Sequence, residues 1–550
     1  MLPRPPVRRM VRTNRTSRER NPRIVRTLWG WAVVALLGIV SVAACTSSQP
    51  SVDSAHTLTV LAGSELKDLV PLLPDIQKNT GYQLALKYTG SLDGAQAIVD
   101  GSDKSDMAWF STGNYLTLLQ GKTGRIIAQQ PVMLSPVVIG VKHSVAQNLG
   151  WSGSTSVTWA DIANAARAGR FHFGMTNPAA SNSGFVALVG VASAFAGNGA
   201  ALDSGSINLA KLKDFFSGQV LTAGSSGFLA DSYVRQQDRI DGMINYESVL
   251  LEYNASGKLH EQLDLIYPKD GIITANYPLM LLNPAKRDAY DKVVAYLRTA
   301  DVQRSIMTTT RRRPSVPDVP LDSSFTSQLL VELPFPSNLG VVDNLIFAYL
   351  DQIRPPAHTF FVIDISGSMQ GDRLNSVKAT FDNLTGADQT ITGRFARFRA
   401  REEITIIPFN GAVVDDRTFT INDVSANSPD LAAVRQYVDN LQANDGTAIY
   451  DSMIRAYQDA ARAKRADPNR FYSVVLMTDG ENNTGNNAQG FQRYYNSQPD
   501  EVKAIPAFAI IFGEASPQDL TNIANLTGGQ VFDSRNASLP SVFKVIRGYQ

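Results

Sequence analysis

Asp364, Ser366 and Ser368 follow the apolar run Phe360-Phe361-Val362-Ile363, which sets a carboxylate and two hydroxyls at i, i+2 and i+4. An extended chain turns alternate side chains to one side, so this spacing predicts three oxygens together at the end of a buried strand. A hard divalent cation such as Mg²⁺ takes oxygen ligands at near-octahedral angles and keeps several waters, and these three groups would supply part of such a shell. Two later stretches carry matching chemistry. Asn444-Asp445-Gly446-Thr447 offers a hydroxyl in a turn, and Val474-Val475-Leu476-Met477-Thr478-Asp479-Gly480 ends a second apolar strand with an aspartate. Asp and Ser are also common turn residues, and Asp-Gly is a frequent turn dipeptide.

Together these stretches resemble the von Willebrand factor A domain with its metal-ion-dependent adhesion site. The match covers Asp364, Ser366, Ser368, Thr447 and Asp479 in the family's order, without a departure. The resemblance implies one bound Mg²⁺ (or Mn²⁺), contacted by the two serines and the threonine, with the two aspartates acting partly through water. It also implies a coordination position completed by an acidic group of a partner, which is binding chemistry rather than turnover. A carboxylate-held cation can activate water, but no His, Lys or spare acid in these motifs is an evident general base. The five histidines fall in no metal-ligand spacing, the single cysteine is Cys45, and the chain has no GxSxG elbow and no Walker loop. The expectation is a protein without an enzymatic activity.

The elements needed to position these residues are legible around them. Residues 357–550 read as a doubly wound α/β sheet, with strands expected at 358–364, 403–409, 417–421, 471–478, 505–512 and 529–533. Helices are expected at about 371–385, 429–441, 448–464, 488–497, 516–526 and 538–548. Residues 57–350 alternate strand and helix as well: strands at 57–62, 82–88, 106–110, 136–141 and 171–175, with a helix from 66 to about 79. Such alternation implies a parallel sheet with helices on both faces, and ligands then sit beyond the carboxyl ends of the strands. Small hydroxyl residues cluster at those ends: Gly63-Ser64, Thr89-Gly90-Ser91, Ser135 and Ser181-Asn182-Ser183-Gly184. Each taken singly reads as a helix N-cap. With Thr176-Asn177-Pro178 and the run from Asp241 to Glu247, the pattern resembles the type 2 extracellular solute-binding fold. That resemblance implies two lobes closing on a small polar or anionic solute, with Ser64, Ser91, Asn177, Ser183 and Tyr246 as ligand-binding residues.

Between the two parts, prolines break regular structure from 314 to 336, and a helix over 341–353 ends at Arg354-Pro355-Pro356, a short stiff hinge. Arg311-Arg312-Arg313 is expected as a solvated turn at a lobe edge, Glu402-Glu403 as a solvated strand start, and Tyr494-Tyr495 as helix packing. His172 is expected as a satisfied core residue.

The formal net charge of +1 conceals an asymmetry. Residues 1–44 hold nine arginines and one glutamate, leaving 42 basic and 49 acidic residues in the rest and no general basic footprint for nucleic acid. Residues 1–45 read as a lipoprotein signal peptide: a basic segment, an uncharged run of 17 residues over 28–44, and Val42-Ala43-Ala44-Cys45, which resembles a bacterial lipobox with Cys45 lipidated. An uncleaved signal anchor is the alternative. Both put the rest of the chain outside the cytoplasmic membrane, on a flexible tether over 46–56. With one cysteine, no intramolecular disulfide can hold the fold together. The sequence thus implies a membrane-anchored binding protein: a solute-binding-like domain (57–350) and a von Willebrand A domain (357–550) that recognises a protein or acidic partner, gated by the cleft ligand. The rival reading is a substrate receptor for an ABC importer.

Overall fold

The computed structural model describes residues 56–550 apart from positions 122, 198, 426 and 536. The signal segment, Cys45 and nearly all of the tether lie outside the described residues. Everything described below belongs to one unit, Asp53–Gln550.

Its first part contains strands β1 (Thr57–Gly63), β2 (Gln83–Thr89), β3 (Met107–Trp109), β4 (Ala128–Pro131), β5 (Met133–Lys142) and β6 (Phe173–Thr176). They are followed by β7 (Gln219–Ala223), β8 (Gly242–Tyr246), β9 (Leu263–Ile266), β10 (Thr274–Ala275), β11 (Pro278–Leu281) and β12 (Arg313–Pro314). They build two sheets rather than one: β2-β1-β3-β11-β4, and β10-β5-β8-β6-β7 with β9 and β12 also on β5. Each sheet is the core of a lobe. The chain crosses between them three times, from β4 into β5 at Val132, from β10 into β11 at Tyr277 and again between β11 and β12, and Val132 N–H donates to the Tyr277 carbonyl.

The purely parallel sheet expected from the alternation is corrected here. β11 runs antiparallel to β3 and β4, and β5 runs antiparallel to β8, β9, β10 and β12, because strands that return through a crossover enter the second sheet reversed. The helix expected over 66–79 is two pieces, a 3₁₀ helix Ser64–Leu72 and an α-helix Leu73–Thr80 ended by Gly81 at φ 80°. Pro71 and Pro74 each lack an N–H, so the first turns cannot propagate as one α-helix.

After the helix Leu339–Ala348 the chain turns at Arg354-Pro355-Pro356 into strands β13 (Ala357–Asp364), β14 (Glu403–Phe409), β15 (Arg417–Thr420), β16 (Phe471–Thr478), β17 (Ala507–Ile511) and β18 (Val531–Asp533). Their order is β15-β14-β13-β16-β17-β18, parallel except for β15. Period-two alternation divides each central strand between two cores. Phe361 and Ile363 enter one with Val475 and Met477, while Phe360 and Val362 enter the other with Val474 and Leu476. The chain leaves β13 toward β14 on one side and returns through β16 on the other. The strand order therefore reverses between β13 and β16, and the carboxyl ends of such a pair form the crevice where doubly wound sheets take ligands.

Candidate metal centre and interlobe cavity

Asp364 closes β13 and is fully buried. Its Oδ1 accepts from Ser366 N–H at 2.7 Å, and its Oδ2 accepts from Thr478 Oγ1 at 2.5 Å. Burial pushes its carboxyl up, hydrogen bonds from Thr478 and Ser366 oppose that, and the Asp479 charge adds to the rise. Ser366 and Ser368 meet through their hydroxyls at 3.0 Å, and Ser368 Oγ donates to Asp479 Oδ1 at 2.7 Å. Thr447 reaches the same place from the third loop. A methyl group built on Gly480 would lie 3.7 Å from Thr447 Oγ1 and 3.8 Å from Ser368 Oγ. That loop is pinned by Asn444 N–H to the Ile365 carbonyl at 2.8 Å, and Thr447 N–H to Asn483 Oδ1 at 2.8 Å. Gly446 turns at φ +88°, where a Cβ would stand 2.6 Å from Gly411 Cα, so only glycine allows the loop this approach. The five residues singled out from the sequence thus share one crevice, all presenting oxygen. Arg373 also enters, donating to the second oxygen of Asp479.

A separate cavity of about 250 Å³ lies between the lobes. Ser64, Ser91 and Asn177 line it, together with Ser181 and Asn182. Ser183 and Tyr246 do not line it. Ser183 Oγ is engaged with Thr176 Oγ1 at 2.8 Å and Ser181 Oγ at 3.3 Å, and Tyr246 O–H donates to Ser111 Oγ at 2.9 Å while accepting from Asn182 Nδ2 at 3.1 Å. The helices Ser91–Asp100 and Asn182–Ala196 both start at this cavity without a side-chain cap on their first N–H groups. The hydroxyls there are therefore not spent as N-caps. The third wall is the C-terminal part of the chain: Thr392, Phe395, Lys544 and Tyr549 close the cavity over the lobes.

A family model, von Willebrand factor type A domain, matches residues 360–545. Residues 360–545 are a von Willebrand factor type A domain. Among curated relatives, human inter-alpha-trypsin inhibitor heavy chain H2 is 28% identical over 143 residues, which is 24% of this chain and 13% of that protein. Human heavy chain H3 is 28% identical over 198 residues, covering 35% of this chain and 20% of that one. The chain thus matches only a small part of these relatives' length. Among solved structures, the periplasmic binding protein AfuA of Actinobacillus pleuropneumoniae is similar at 12% identity and TM-score 0.42, covering 54% of this chain and 98% of that one. Iron-bound HitA of Pseudomonas aeruginosa is similar at 13% identity and TM-score 0.42, covering 53% and 97%.

Around the A domain the structure overturns several sequence expectations, all concerning charge. Arg312 and Arg313 are not a solvated turn. Arg312 is 1% exposed and paired with Asp68 at 2.6 Å, and Arg313 grips the buried Glu247 through Nε at 2.7 Å and Nη2 at 2.6 Å. Glu402 is likewise buried, receiving Arg399 N–H at 3.0 Å, Arg547 Nη2 at 2.7 Å and the Arg354 guanidinium. Burial alone would raise its carboxyl; the Arg547 and Arg354 charges hold it below the usual range. His172 is half-exposed and paired with Asp241 at 3.2 Å rather than sealed in the core. The charged partners Asp68, Glu247, Asp241, Arg354 and Arg547 all lie 48 or more positions from the groups they pair with, so no local spacing announces them. Arg373, four residues beyond the Ser366-Gly367-Ser368-Met369 turn, carries no signal of its own either.

Proposed function

We propose that this protein is a membrane-anchored, extracytoplasmic binding protein whose A domain recognises an acidic group of a protein partner through a divalent cation, Mg²⁺ or Mn²⁺. The observation that carries the reading is the meeting of Asp364, Ser366, Ser368, Thr447 and Asp479 at the switch point of the sheet. The donor set fits the cation: it is all oxygen, with no nitrogen or sulfur ligand, and hard divalent ions select such sets. Ser366, Ser368 and Thr447 would hold it with neutral hydroxyls, and Asp364 and Asp479 would balance its charge. A cation so held supplies a Lewis-acidic position to a partner carboxylate. Asp364, with both oxygens already accepting from Ser366 and Thr478, orients the turn that carries the two serines.

Support for a cleft ligand that gates this recognition is the third wall of the interlobe cavity. The helix Leu539–Arg547 of the A domain lies across it, so solute exchange and A-domain position share one surface. A transport receptor presents its cleft to a permease; here that face is covered by the A domain, which favours the binding reading over an importer subunit. The N-terminal segment supports lipidation at Cys45, which a Cys45→Ala change tests through membrane association and the N-terminus of the mature protein. No helix among the described residues is long and apolar enough to cross a membrane.

Titration of Mg²⁺ into the full chain by calorimetry tests the metal reading. One bound ion per chain, lost on Ser368→Ala, is the expected result. Absence of heat at millimolar Mg²⁺ and Mn²⁺ would overturn it.

A further inference from the structure

Five charged residues line the interlobe cavity, and three of them are committed to other polar groups. Lys544 pairs with Asp388 at 2.5 Å, Arg547 holds Glu402, and Asp93 faces Thr392 and Lys544. Lys67 is exposed, with its ammonium 5.4 Å from the centre of the Tyr88 ring. Glu65 carries the orphan: its Oε1 is buried and has no hydrogen-bond partner.

Glu65 is the cavity-facing member of a larger cluster in the same condition. Asp68 Oδ1, Tyr277 Oη and Arg312 Nε are also buried without a partner. The cluster is one body. Arg312 Nη1 meets Asp68 Oδ2 at 2.6 Å, Arg312 Nη2 donates to the Glu65 carbonyl at 3.3 Å, and its guanidinium lies 4.6 Å from the centre of the Tyr277 ring. Arg312 is 1% exposed and Tyr277 fully buried. Buried polar groups in folded proteins are nearly always paired; Tyr277 and Arg312 face each other, so the orphaned oxygens of Glu65 and Asp68 mark the place that a polar partner completes.

The backbone adds an independent sign. Tyr277 sits at φ +40°, the left-handed region that a bulky L-residue enters only when its surroundings force it. Such strain concentrates at binding and hinge sites, and Tyr277 lies where the chain crosses between the lobes.

The charges decide what the partner must be. Within this cluster two carboxylates face one guanidinium, a formal balance of −1, and the member that lines the cavity, Glu65, carries an orphaned carboxylate oxygen. A phosphate or carboxylate group there would meet Glu65 in repulsion. An ammonium group would neutralise the cluster and supply donors to the orphaned oxygen. Burial also pushes the Asp68 carboxyl up to about 6 despite Arg312, which accords with a cluster short of positive charge. We infer that the interlobe cavity takes a small solute bearing a primary amine, with the ammonium received by Glu65, and with Asp68, Arg312 and Tyr277 positioning that carboxylate. This rests on the reading of the cavity as a solute site and replaces the polar or anionic solute expected from the sequence with a cationic one.

The test uses the full chain in detergent and four probes of similar small size: ethanolamine, putrescine, glycolate and inorganic phosphate. Binding is read by calorimetry and by the shift of the thermal midpoint. The expected result is binding of ethanolamine or putrescine, absent for glycolate and phosphate, and weakened ten- to hundred-fold by Glu65→Gln, the range for losing a charge-assisted hydrogen bond. The unliganded midpoint of the variant reports its folding separately, and the wild-type probe panel needs no variant at all. Binding of glycolate or phosphate without the amines would overturn the amine assignment while leaving a solute site. Silence of all four, with the Mg²⁺ titration intact, would overturn both the assignment and the solute reading.

Discussion

Arg373 shares Asp479 with the proposed cation, and this sets the first expectation at the scale of single residues. Its guanidinium presents a positive charge at the oxygen that would balance the metal. Arg373→Gln should therefore tighten Mg²⁺ binding roughly fivefold or more, a Coulomb contribution of about 1 kcal/mol at a part-exposed position. Ser368→Ala should do the reverse at little cost in stability, since Ser368 is exposed. Asp364→Ala should behave differently from both. It strands the Ser366 N–H and the Thr478 hydroxyl in a buried site, so about 1–3 kcal/mol of stability should go with the metal. Calorimetry and urea unfolding on the three variants separate these effects.

A second residue, His358, gives a pH signature. It is buried, with Nε2 against Thr405 Oγ1 at 2.8 Å; Glu403 lies 3.0 Å from Nδ1 without forming a hydrogen bond. Burial, with the Arg470 charge adding to it, pushes the ring down to about 3. The unfolded chain gains this proton at its ordinary value near 6.5, the folded one only near 3. The stability that the neutral ring contributes is thus present above about 6.5 and lost as pH falls toward 3, at up to about 1.4 kcal/mol per unit. His358→Gln should flatten that part of the stability profile in urea melts between pH 7 and 4. An unchanged slope would mean that other groups carry it.

At the scale of elements, the pieces of the oxygen-lined crevice were legible from sequence because each of them announces itself locally. Two apolar strands announce themselves by composition, each ends in its aspartate, and the serines follow at alternate positions. The six strands of the A domain fall within a few residues of expectation for the same reason. The buried charges were illegible because their meaning depends on distant partners. Arg312 reads as solvated until Asp68, 244 positions away, is brought to it, and Glu402 until Arg354 and Arg547 arrive from 48 and 145 positions away. Mixed strand directions in the lobes were missed likewise, since alternation with helices does not reveal a crossover into a second sheet. The Arg354–Glu402–Arg547 cluster joins three elements: the hinge, the start of β14 and the C-terminal helix. Glu402→Ala would leave two buried guanidinium groups facing each other, and about 3–5 kcal/mol of stability should be lost. Glu402→Gln, which retains acceptors, should lose less. Equal and small losses in urea unfolding would show that the cluster is hydrated.

At the scale of the whole molecule, the A domain is fastened to the second lobe by an aromatic joint. The Tyr549 ring lies over Gly224, where an added Cβ would stand 2.4 Å from its Cε2. It meets Phe228 of the lobe edge-on at a centroid distance of 4.8 Å, and Phe508 and Phe532 of the A domain at 5.3 and 5.7 Å. Arg235 and Arg239 add bonds from the lobe to the carbonyls of Gly528 and Asp500, at 2.9 and 3.0 Å. Those polar bonds lie at exposed arginines, where their net contribution is small. The apolar joint should thus dominate. Gly224→Val puts side-chain atoms into the space that the Tyr549 ring occupies against the strand end. Tyr549 must then swing out and draw the helix Leu539–Arg547 from the mouth of the cavity. Amide hydrogen exchange reads the result element by element. Exchange should quicken across residues 539–550 and stay slow in β13 and β16, whose hydrogen bonds belong to the A-domain core. Mg²⁺ affinity should be preserved, because the metal loops contact neither Gly224 nor Tyr549. Exchange that quickens through β13 as well would mean that the A domain depends on the lobe for its own fold. Unchanged exchange over 539–550 would place the joint elsewhere than Tyr549.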